Sequence, residues 1–377
     1  MPAPPHWDVF CRVVDNFGDI GVCWRLCADL AARGQPVRLW ADDVSSLAWL
    51  ARGGAAGVEV IDWQGAGPDL EPGSVVIEAF GCDPPLRFVE RMVSAAAVRA
   101  QAPLWINLEY LSAEAYVERS HRLPSPQPGG LQKTFWYPGF NPRTGGLLRE
   151  PGLMLRHEAF QRDAWLAAQG LQRRASGPAI EQVVTLFCYD NPALPAFLAG
   201  LAQTSTPTLL LLTPGPAQRQ VHALAAAGAL PASIRTADLP WLSQTDFDCL
   251  LWSADLNLVR GEDSLVRAIW AGVPFLWQIY PQSDDAHGPK LAAFIDAFVA
   301  ACAAASGAND TQEFAAALRA AMRLWNCLAG SGAVNTHEAI MLPPATQWQA
   351  ASRHWRDALL GQPDLVTQLL GFAAGKR

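Results

Sequence analysis

The sequence predicts an α/β protein with two doubly wound, Rossmann-like domains that face a cleft. Its 377 residues exceed what one hydrophobic core usually organises, because domains average roughly 150 residues. Strand-like and helix-like segments alternate in the first half, and the alternation restarts near residue 181. This pattern is typical of parallel sheets that helices cover on both faces.

The first domain begins with a predicted βαβ unit. "WDVFCRVVD" is strand-like, apolar residues repeat at helical spacing from Ile20 to Arg33, and "GQPVRLWAD" returns to a strand after a glycine stop. The segments "SVVIEAFG", "FVERMVSAAAVRA" and "PLWINLEYL" then repeat the same order. The first domain is therefore predicted to contain a parallel sheet.

The second domain shows the same rhythm of segments. They are, in chain order, "EQVVTLFCYD", "ALPAFLAGLAQ", "PTLLLLTPG", "DFDCLLWSAD", "LNLVRG", "DSLVRAIWAG" and "VPFLWQIYP". Their alternation predicts a second doubly wound domain.

The domain limits follow from the segments that separate these patterns. Residues 124–152 are dense in Pro and Gly, which predicts a loop-rich span, and the boundary is placed near "RRASGPAIEQ". We therefore predict an N-terminal domain over 1–175 and a C-terminal domain over 176–345. The tail over 346–377 is predicted to be helical and to pack back on the N-terminal domain.

Composition excludes several classes of protein. Half of the residues are apolar and 17% are charged, which excludes a disordered or fibrous chain. A net charge of −7, without a basic stripe, argues against nucleic-acid binding. The eight cysteines are scattered and are interpreted as small core residues. Without a predicted secretory signal or membrane span, we expect a cytoplasmic protein.

Two carboxylates bracket a turn in "VVDNFGDIGVCWRL". Asp15 closes the first predicted strand, and ligands of open α/β sheets bind outside the carboxyl ends of strands. Gly18 allows a tight turn, and Asp19 lies at or just before the first helical turn. A helix start needs at most one capping acid, so the second acid indicates a binding partner. The alternative is an Asx turn at Asp15 and an N-cap at Asp19, and spacing leaves both open.

A second candidate lies in "LVRGEDSLVRAIWAG". The helix that opens there would present free backbone N–H groups, which suit a phosphate. Arg260 adds a fork of donors, Ser264 a hydroxyl, and Gly261 allows close approach of the backbone. Glu262 and Asp263 would repel a diphosphate unless they serve a sugar hydroxyl or the helix cap. The alternative is a capped helix with an exposed arginine.

The third candidate is an aromatic pair in "LPWLSQTDFDCLL". Trp241 and Phe247 flank Gln244, so two rings could sandwich a base while the amide reads its hydrogen-bonding edge. The alternative is that both rings belong to the core. Asp246 and Asp248 could bind Mg²⁺ on a diphosphate, but helical spacing favours solvated side chains for both.

Other candidates follow predicted strands elsewhere. Asn107, Glu109 and Tyr110 end a strand of the first domain and could line the opposite wall of the cleft. His287 follows a strand end near the second candidate, although a loop histidine is usually solvated.

Several long blocks resemble one family over nearly the whole chain. They are "DNFGDIGVCWRL", "LWINLEYLSAE", "PSPQ", "VRGEDS" and "AGVPFLWQIYPQ", and they resemble the EarP family of protein-arginine rhamnosyltransferases. The resemblance implies a two-domain GT-B glycosyltransferase. It also implies inverting transfer of rhamnose from dTDP-β-L-rhamnose to an arginine of elongation factor P, without nucleic-acid or membrane partners.

The resemblance also implies roles for individual residues. The catalytic residues would be Asp19, with Asp15 beside it, and Glu262. The substrate-binding residues would be Asn16, Phe17, Gly18, Tyr189, Trp241, Gln244, Phe247, Arg260, Gly261, Asp263 and Ser264. One departure from the family pattern is Trp241, where relatives have Phe, and a larger ring preserves stacking on thymine.

On this interpretation, the paired acids bind a guanidinium, a planar fork of five donors that carboxylates grip bidentately. Its pKa above about 12 makes it a poor nucleophile, and the acids would bias its charge toward one end. Asp19 would be the base, and the scheme requires no metal or cofactor. The alternatives are a GT-B glycosyltransferase with another acceptor and a non-catalytic sugar-nucleotide-binding protein.

Overall fold

The computed structural model describes nine stretches of the chain. They are residues 6–14, 17–63, 70–98, 102–176, 179–204, 206–281, 287–303, 308–328 and 339–376. The chain divides into two compact units. Unit 1 comprises Met1–Leu153 and Leu360–Arg377, and unit 2 comprises Met154–Leu359.

The described residues form strands and helices in alternation. The strands are β1 (Trp7–Cys11), β2 (Val37–Ala41), β3 (Val58–Asp62), β4 (Val75–Ala79), β5 (Leu104–Leu108), β6 (Pro124–Pro126), β7 (Gln132–Trp136), β8 (Ala175–Ser176), β9 (Ala179–Ile180), β10 (Gln182–Leu186), β11 (Thr208–Leu212), β12 (Ile234–Asp238), β13 (Leu256–Arg260) and β14 (Phe275–Gln278). The helices are α1 (Gly18–Ala32), α2 (Leu47–Leu50), α3 (Leu86–Val98), α4 (Tyr116–Ser120), α5 (Leu153–Glu158), α6 (Arg162–Ala168), α7 (Leu194–Ala202), α8 (Pro216–Ala226), α9 (Gln244–Trp252), α10 (Asp263–Ala271), α11 (His287–Ala303), α12 (Ala308–Trp325), α13 (Ala345–Leu360) and α14 (Leu365–Lys376).

Unit 1 is a doubly wound sheet with the strand order β3-β2-β1-β4-β5-β7-β6. All neighbouring strands are parallel except β6, which pairs antiparallel with β7. Side chains alternate between the two faces, as the pleat requires. Val9 lies in the core that contains Leu26 of α1 and Leu369 of α14, whereas Phe10 contacts Phe88 of α3 in a separate core.

Unit 2 repeats this plan with the strand order β12-β11-β10-β13-β14, all parallel. One core joins Leu209 of β11 to Leu166 of α6 and Leu250 of α9. In another part of the unit, Phe298 of α11 stacks on Phe275 of β14, with ring centroids 6.0 Å apart. The two doubly wound sheets that the sequence predicts are therefore present.

The Pro- and Gly-rich span over 124–152 is more ordered than the sequence predicts. It contains β6 and β7, and β7 pairs in parallel with β5. The prediction of a span without an ordered layer was wrong because "QKTFW" forms a half-buried strand between turn residues.

The division between the units lies at 153/154, earlier than the boundary predicted at 175/176. The reason is that α5 and α6 precede β10 but pack within unit 2. Leu166 shares a core with Val183, and Arg162 forms an ion pair with Asp255 at 2.5 Å. The predicted tail over 346–377 is divided as well, because α13 lies in unit 2 almost to its end and α14 lies in unit 1.

The strand orders locate the sites at which such sheets bind ligands. In each sheet the order reverses beside the first strand, at β1 and β4 in unit 1 and at β10 and β13 in unit 2. Ligands of open α/β sheets bind outside the carboxyl ends of the strands at this switch point. The residues that follow these four strands are therefore the first candidates for function.

Within the described residues, no helix combines the length and the apolar character that crossing a bilayer requires.

Candidate active site

Asp19 lies at the switch point of unit 1, in the first turn of α1. Only 3% of its surface is exposed, and its Oδ2 accepts a hydrogen bond from the backbone N–H of Val14 at 2.9 Å. The positive end of the helix dipole favours a negative charge at this position. A buried carboxylate is thus held in the first turn of the helix that follows β1.

The helix does not use Asp19 as its N-cap. Phe17 occupies the N-cap position, and no side chain makes a capping hydrogen bond there. The alternative interpretation of Asp19 as a capping acid was therefore wrong. Asp15 and Asn16, the other candidates in this turn, lie outside the described residues.

Side chains hold the described residues at both ends of the connection from β1 to α1. The backbone N–H of Val13 donates to Asp42 Oδ1 at 2.8 Å, one residue before the bond from Val14. Phe17 packs edge-on against Trp49, with ring centroids 5.0 Å apart, and Gly18 is the first residue of α1. These contacts give the carboxylate of Asp19 a rigid support.

Thiols line the core beneath Asp19. Cys11, Cys23 and Cys27 are fully buried. A hydrogen bond between the Cys23 and Cys11 side chains, and then burial, raise the pKa of the Cys23 thiol well above its usual value, and the charge of Asp19 acts in the same direction. Burial likewise raises the pKa of Cys27. Cys23 and Cys27 therefore stay protonated, which agrees with their interpretation as core residues.

The strands beyond β4 bring further groups to the same edge of the unit 1 sheet. Asn107 Nδ2 donates to Glu109 Oε1 at 2.7 Å, and Asn107 Oδ1 accepts from the N–H of Gly81. Phe80, which has a φ of +58°, stacks on Tyr110 with ring centroids 4.4 Å apart. The predicted group of Asn107, Glu109 and Tyr110 thus forms an ordered polar and aromatic edge.

Arg260 lies at the switch point of unit 2 and is held by aromatic rings. Its guanidinium lies over the rings of Phe187 and Tyr189, 4.5 Å from each centroid. One Nη1–H donates to the backbone oxygen of Cys188 at 3.1 Å. The side chain is 7% exposed, so the alternative of an exposed arginine was wrong. The two rings fix the plane of the guanidinium, so the protein, and not the surrounding water, sets the orientation of its N–H donors.

The helix α10 starts three residues after Arg260, within the "RGEDS" segment, as the sequence predicts. Gly261 has a φ of +64°, and its carbonyl oxygen accepts a hydrogen bond from Trp277 Nε1 at 2.8 Å. Ser264 Oγ accepts from the backbone N–H of Arg260 at 3.1 Å and donates to the carbonyl oxygen of the same residue. The hydroxyl of Ser264 therefore ties the start of the helix to the end of β13.

Glu262 is the N-cap residue of α10, without a side-chain capping bond. Its Oε1 pairs with Lys290 Nζ of α11 at 2.9 Å. The positive charge of Lys290 offsets the negative charge of Glu262, which would otherwise repel an anion bound at the start of α10. His287, at the start of the same helix α11, is buried and is not the solvated loop residue that the sequence favours.

The start of α9 approaches the start of α10. Ser243 caps α9 by accepting from the N–H of Asp246, and Gln244 Nε2 donates to Asp263 Oδ2 at 3.4 Å. Trp241 is 42% exposed, so the interpretation of this ring as core was wrong. Phe247 is half-buried against the unit 2 core.

The "DFD" carboxylates have separate partners in the protein. Ser243 Oγ donates to Asp246 Oδ2 at 2.7 Å. Asp248 is buried and accepts two hydrogen bonds from Arg267, at 2.8 and 2.6 Å, so the prediction of a solvated Asp248 was wrong. The described residues contain no group of three or more His, Cys, Asp or Glu side chains arranged to hold a metal ion.

Sequence reasoning missed several residues around Arg260 because their contacts span long distances along the chain. Phe187 contacts both Arg260 and Phe247, the latter edge-on at 5.3 Å. Tyr280 packs edge-on against Tyr189 at 5.6 Å. Phe187 and Tyr280 lie near the carboxyl ends of the predicted segments "EQVVTLFCYD" and "VPFLWQIYP", and that position was the one available signal for them.

Comparison with known proteins identifies the family. The model of the family described as Elongation-Factor P (EF-P) rhamnosyltransferase EarP matches residues 7–374. The chain belongs to the EarP family. Protein-arginine rhamnosyltransferases of Pseudomonas putida and Pseudomonas aeruginosa are 42% and 40% identical to it, and the alignments cover 97% and 98% of this chain and 98% of each relative.

A solved structure gives the same result for the fold of this EarP-family chain. That structure is described as the structural basis for EarP-mediated arginine glycosylation of translation elongation factor EF-P. Its sequence is 30% identical to this chain, and the two structures superpose with a TM-score of 0.64. The match covers 98% of this chain and 99% of that chain. The predicted GT-B fold is confirmed, and this EarP-family member is an enzyme of the glycosyltransferase class.

Proposed function

We propose that this enzyme transfers rhamnose, with inversion, from dTDP-β-L-rhamnose to an arginine side chain of elongation factor P. The observation that carries the proposal is the position of Arg260, a buried arginine between two rings at the switch point of unit 2. Membership of the EarP family supports the sugar and the acceptor.

In the proposed donor site, unit 2 holds the diphosphate. The first N–H groups of α10 lack partners within the helix, and the helix dipole favours an anion there. The guanidinium of Arg260 supplies a fork of donors for phosphate oxygens. As the bond from the anomeric carbon to the diphosphate breaks, these groups stabilise the charge that develops on the departing dTDP.

The nucleoside is proposed to bind at the start of α9. Trp241 presents an exposed ring, Phe247 a half-buried one, and Gln244 an amide held toward α10. Two rings and an amide match the flat faces and the hydrogen-bonding edge of thymine. Tyr189 supports the site indirectly, because its ring already holds Arg260.

Replacing Trp241 with alanine is expected to weaken dTDP binding by roughly 1 to 3 kcal/mol, the range for stacking of a base on an aromatic ring. The ring is exposed, so the fold should persist. Isothermal titration calorimetry with dTDP measures the effect, and Trp241→Phe serves as the matched control that keeps a ring. Parental dTDP affinity in Trp241→Ala would remove this ring from the donor site.

Glu262 is proposed to contact a hydroxyl of the donor, with Lys290 as its counter-ion. Without Lys290, the carboxylate would repel the diphosphate. Lys290→Met is therefore expected to raise the KM for the donor by about twofold to fivefold, on the scale of one partly exposed charge pair, with a smaller change in kcat. Lys290→Arg should restore most of the loss. A donor KM that is equal in Lys290→Met and the parent enzyme would refute this role.

In the proposed acceptor site, unit 1 supplies the base. The carboxylate of Asp19 grips the substrate guanidinium and takes a proton from the attacking nitrogen. That nitrogen forms a bond to the anomeric carbon, while the electron pair of the breaking carbon–oxygen bond leaves with the diphosphate. A single displacement of this kind inverts the anomeric centre. Asp15, outside the described residues, is proposed to assist in orienting the guanidinium.

The scheme uses no metal and no cofactor. Arg260 and the start of α10 are proposed to neutralise the diphosphate, and the nearby carboxylates Asp246 and Asp248 already have protein partners. We propose a cytoplasmic enzyme with a protein acceptor and without nucleic-acid or membrane partners, which agrees with the net charge of −7.

The decisive test incubates the purified enzyme with elongation factor P and dTDP-β-L-rhamnose and follows the intact mass of the acceptor. We expect elongation factor P to gain one deoxyhexose, and a variant with lysine at the modified arginine should gain none. Binding and hydrolysis of the donor without modification of elongation factor P would favour another acceptor. Binding of dTDP without any turnover would favour a non-catalytic sugar-nucleotide-binding protein.

A further inference from the structure

A buried ion pair joins the two helices that carry the proposed nucleotide site. Arg267 Nε and Nη2 donate to Asp248 Oδ1 and Oδ2 at 2.8 and 2.6 Å. The side chains are 1% and 3% exposed, respectively. Neither residue belongs to the proposed donor site, and both carry a charge into the interior of unit 2.

This pair and a second contact each join residues at the same position in α9 and in α10. Gln244 and Asp263 are the first residues of their helices and meet at 3.4 Å. Asp248 and Arg267 are the fifth residues of the same helices. Residues four apart lie on one face of a helix, one above the other. The two contacts therefore fix α9 and α10 side by side in equal register, with both N-termini at the same end.

A contribution to the stability of the fold is a poor explanation for a buried ion pair of this kind. The loss of hydration of two charges largely offsets their attraction, and apolar residues of similar volume often serve a core equally well. What the pair supplies is geometry, because two parallel hydrogen bonds from a planar guanidinium fix both distance and rotation. An apolar contact at the same place would tolerate sliding of one helix along the other.

From these contacts we propose that Asp248 and Arg267 are positioning residues, which hold α9 and α10 in the register that the nucleotide sugar requires. This inference rests on the proposed function of unit 2. The pair acts through Gln244 and Asp263 one turn above it. It also fixes α10 as a whole, and with it Ser264, whose hydroxyl holds the backbone of Arg260. A slip between the helices would separate the groups proposed for the base from those proposed for the diphosphate.

The test compares three variants with the parent enzyme. Asp248→Leu alone removes the carboxylate that accepts two hydrogen bonds from the buried Arg267 and is expected to lower the thermal midpoint strongly. The double variant Asp248→Leu with Arg267→Met removes both charges, so its midpoint should return to near the parental value. Arg267→Lys keeps the charge but loses the fork. The matched control is Arg235→Lys, since Arg235 pairs with Glu181 at the amino end of the same sheet.

The readouts separate position from stability. In the double variant and in Arg267→Lys, the Kd for dTDP and the KM for the donor should rise about tenfold, since small displacements of binding groups have effects of this size. The KM for elongation factor P should stay unchanged, and Arg235→Lys should bind dTDP like the parent. A double variant that regains thermal stability and also binds dTDP like the parent would overturn the proposal. If the double variant does not fold, parental dTDP affinity in a folded Arg267→Lys would overturn it.

A measurement without any ligand keeps this inference distinct from the proposed function. Hydrogen exchange of the backbone amides in the first turns of α9 and α10 should become faster in Arg267→Lys than in the parent, and should not change in Arg235→Lys. Unchanged exchange in Arg267→Lys would refute the register role even if the enzyme binds dTDP. Failure of the parent enzyme to bind dTDP would refute the proposed function instead.

Discussion

Asp19→Asn is expected to lower the rate of rhamnosyl transfer by at least about a hundredfold, the usual scale for the loss of a general base. Asp19 accepts a hydrogen bond from the N–H of Val14, and the amide oxygen of asparagine can still accept it. The variant loses the negative charge and the ability to take a proton. The rate of modification of elongation factor P, followed by intact mass at saturating donor, measures the loss.

The affinity for dTDP provides the internal control for Asp19→Asn. The residues proposed to bind dTDP belong to unit 2, whereas Asp19 belongs to unit 1, so the Kd for dTDP should equal that of the parent enzyme. Asp42→Asn is the matched control variant, because Asp42 holds the same connection through the N–H of Val13. It should keep most of the activity. Turnover in Asp19→Asn close to the parental rate would exclude Asp19 as the base.

How far the sequence predicts this fold depends on how strongly each strand is buried. The strands β1, β4, β10 and β11 are buried along nearly their whole length, so they read as apolar runs that are simple to recognise. The strands β3 and β12 are largely exposed or half-buried, and their polar residues hide the strand pattern. The sequence therefore predicts buried strands better than exposed ones such as β3 and β12.

The same distinction applies to the candidate site. The bonds between Ser264 and Arg260 join residues four apart in the sequence, and a motif of that length can be recognised directly. The partners of Glu262 and Asp248 are Lys290 and Arg267, on other helices. Such pairs depend on how helices pack, which local spacing does not encode. This is why Asp248 was expected to be solvated.

Arg260→Ala is expected to have the second large effect, a fall in transfer on the order of a hundredfold to a thousandfold, as for the loss of one preorganised donor to a developing anion. The buried guanidinium is oriented by Phe187, Tyr189 and the carbonyl oxygen of Cys188, so the alanine variant loses a fork of donors that the protein has already oriented. Arg260→Lys should recover only part of the rate, because a point charge cannot bind two phosphate oxygens in parallel. Thermal unfolding of both variants checks that the fold is intact.

The role of Arg260 also predicts how the enzyme responds to a chelator. If Arg260 and the start of α10 neutralise the leaving diphosphate, the parental rate should be the same with and without EDTA. Added Mg²⁺ should not rescue Arg260→Ala, since the carboxylates Asp246 and Asp248 are engaged by Ser243 and Arg267. Activity that EDTA abolishes and Mg²⁺ restores in the parent enzyme would contradict the metal-free scheme. In that case a divalent cation would share the charge of the diphosphate, and the effect of Arg260→Ala should shrink as Mg²⁺ is raised.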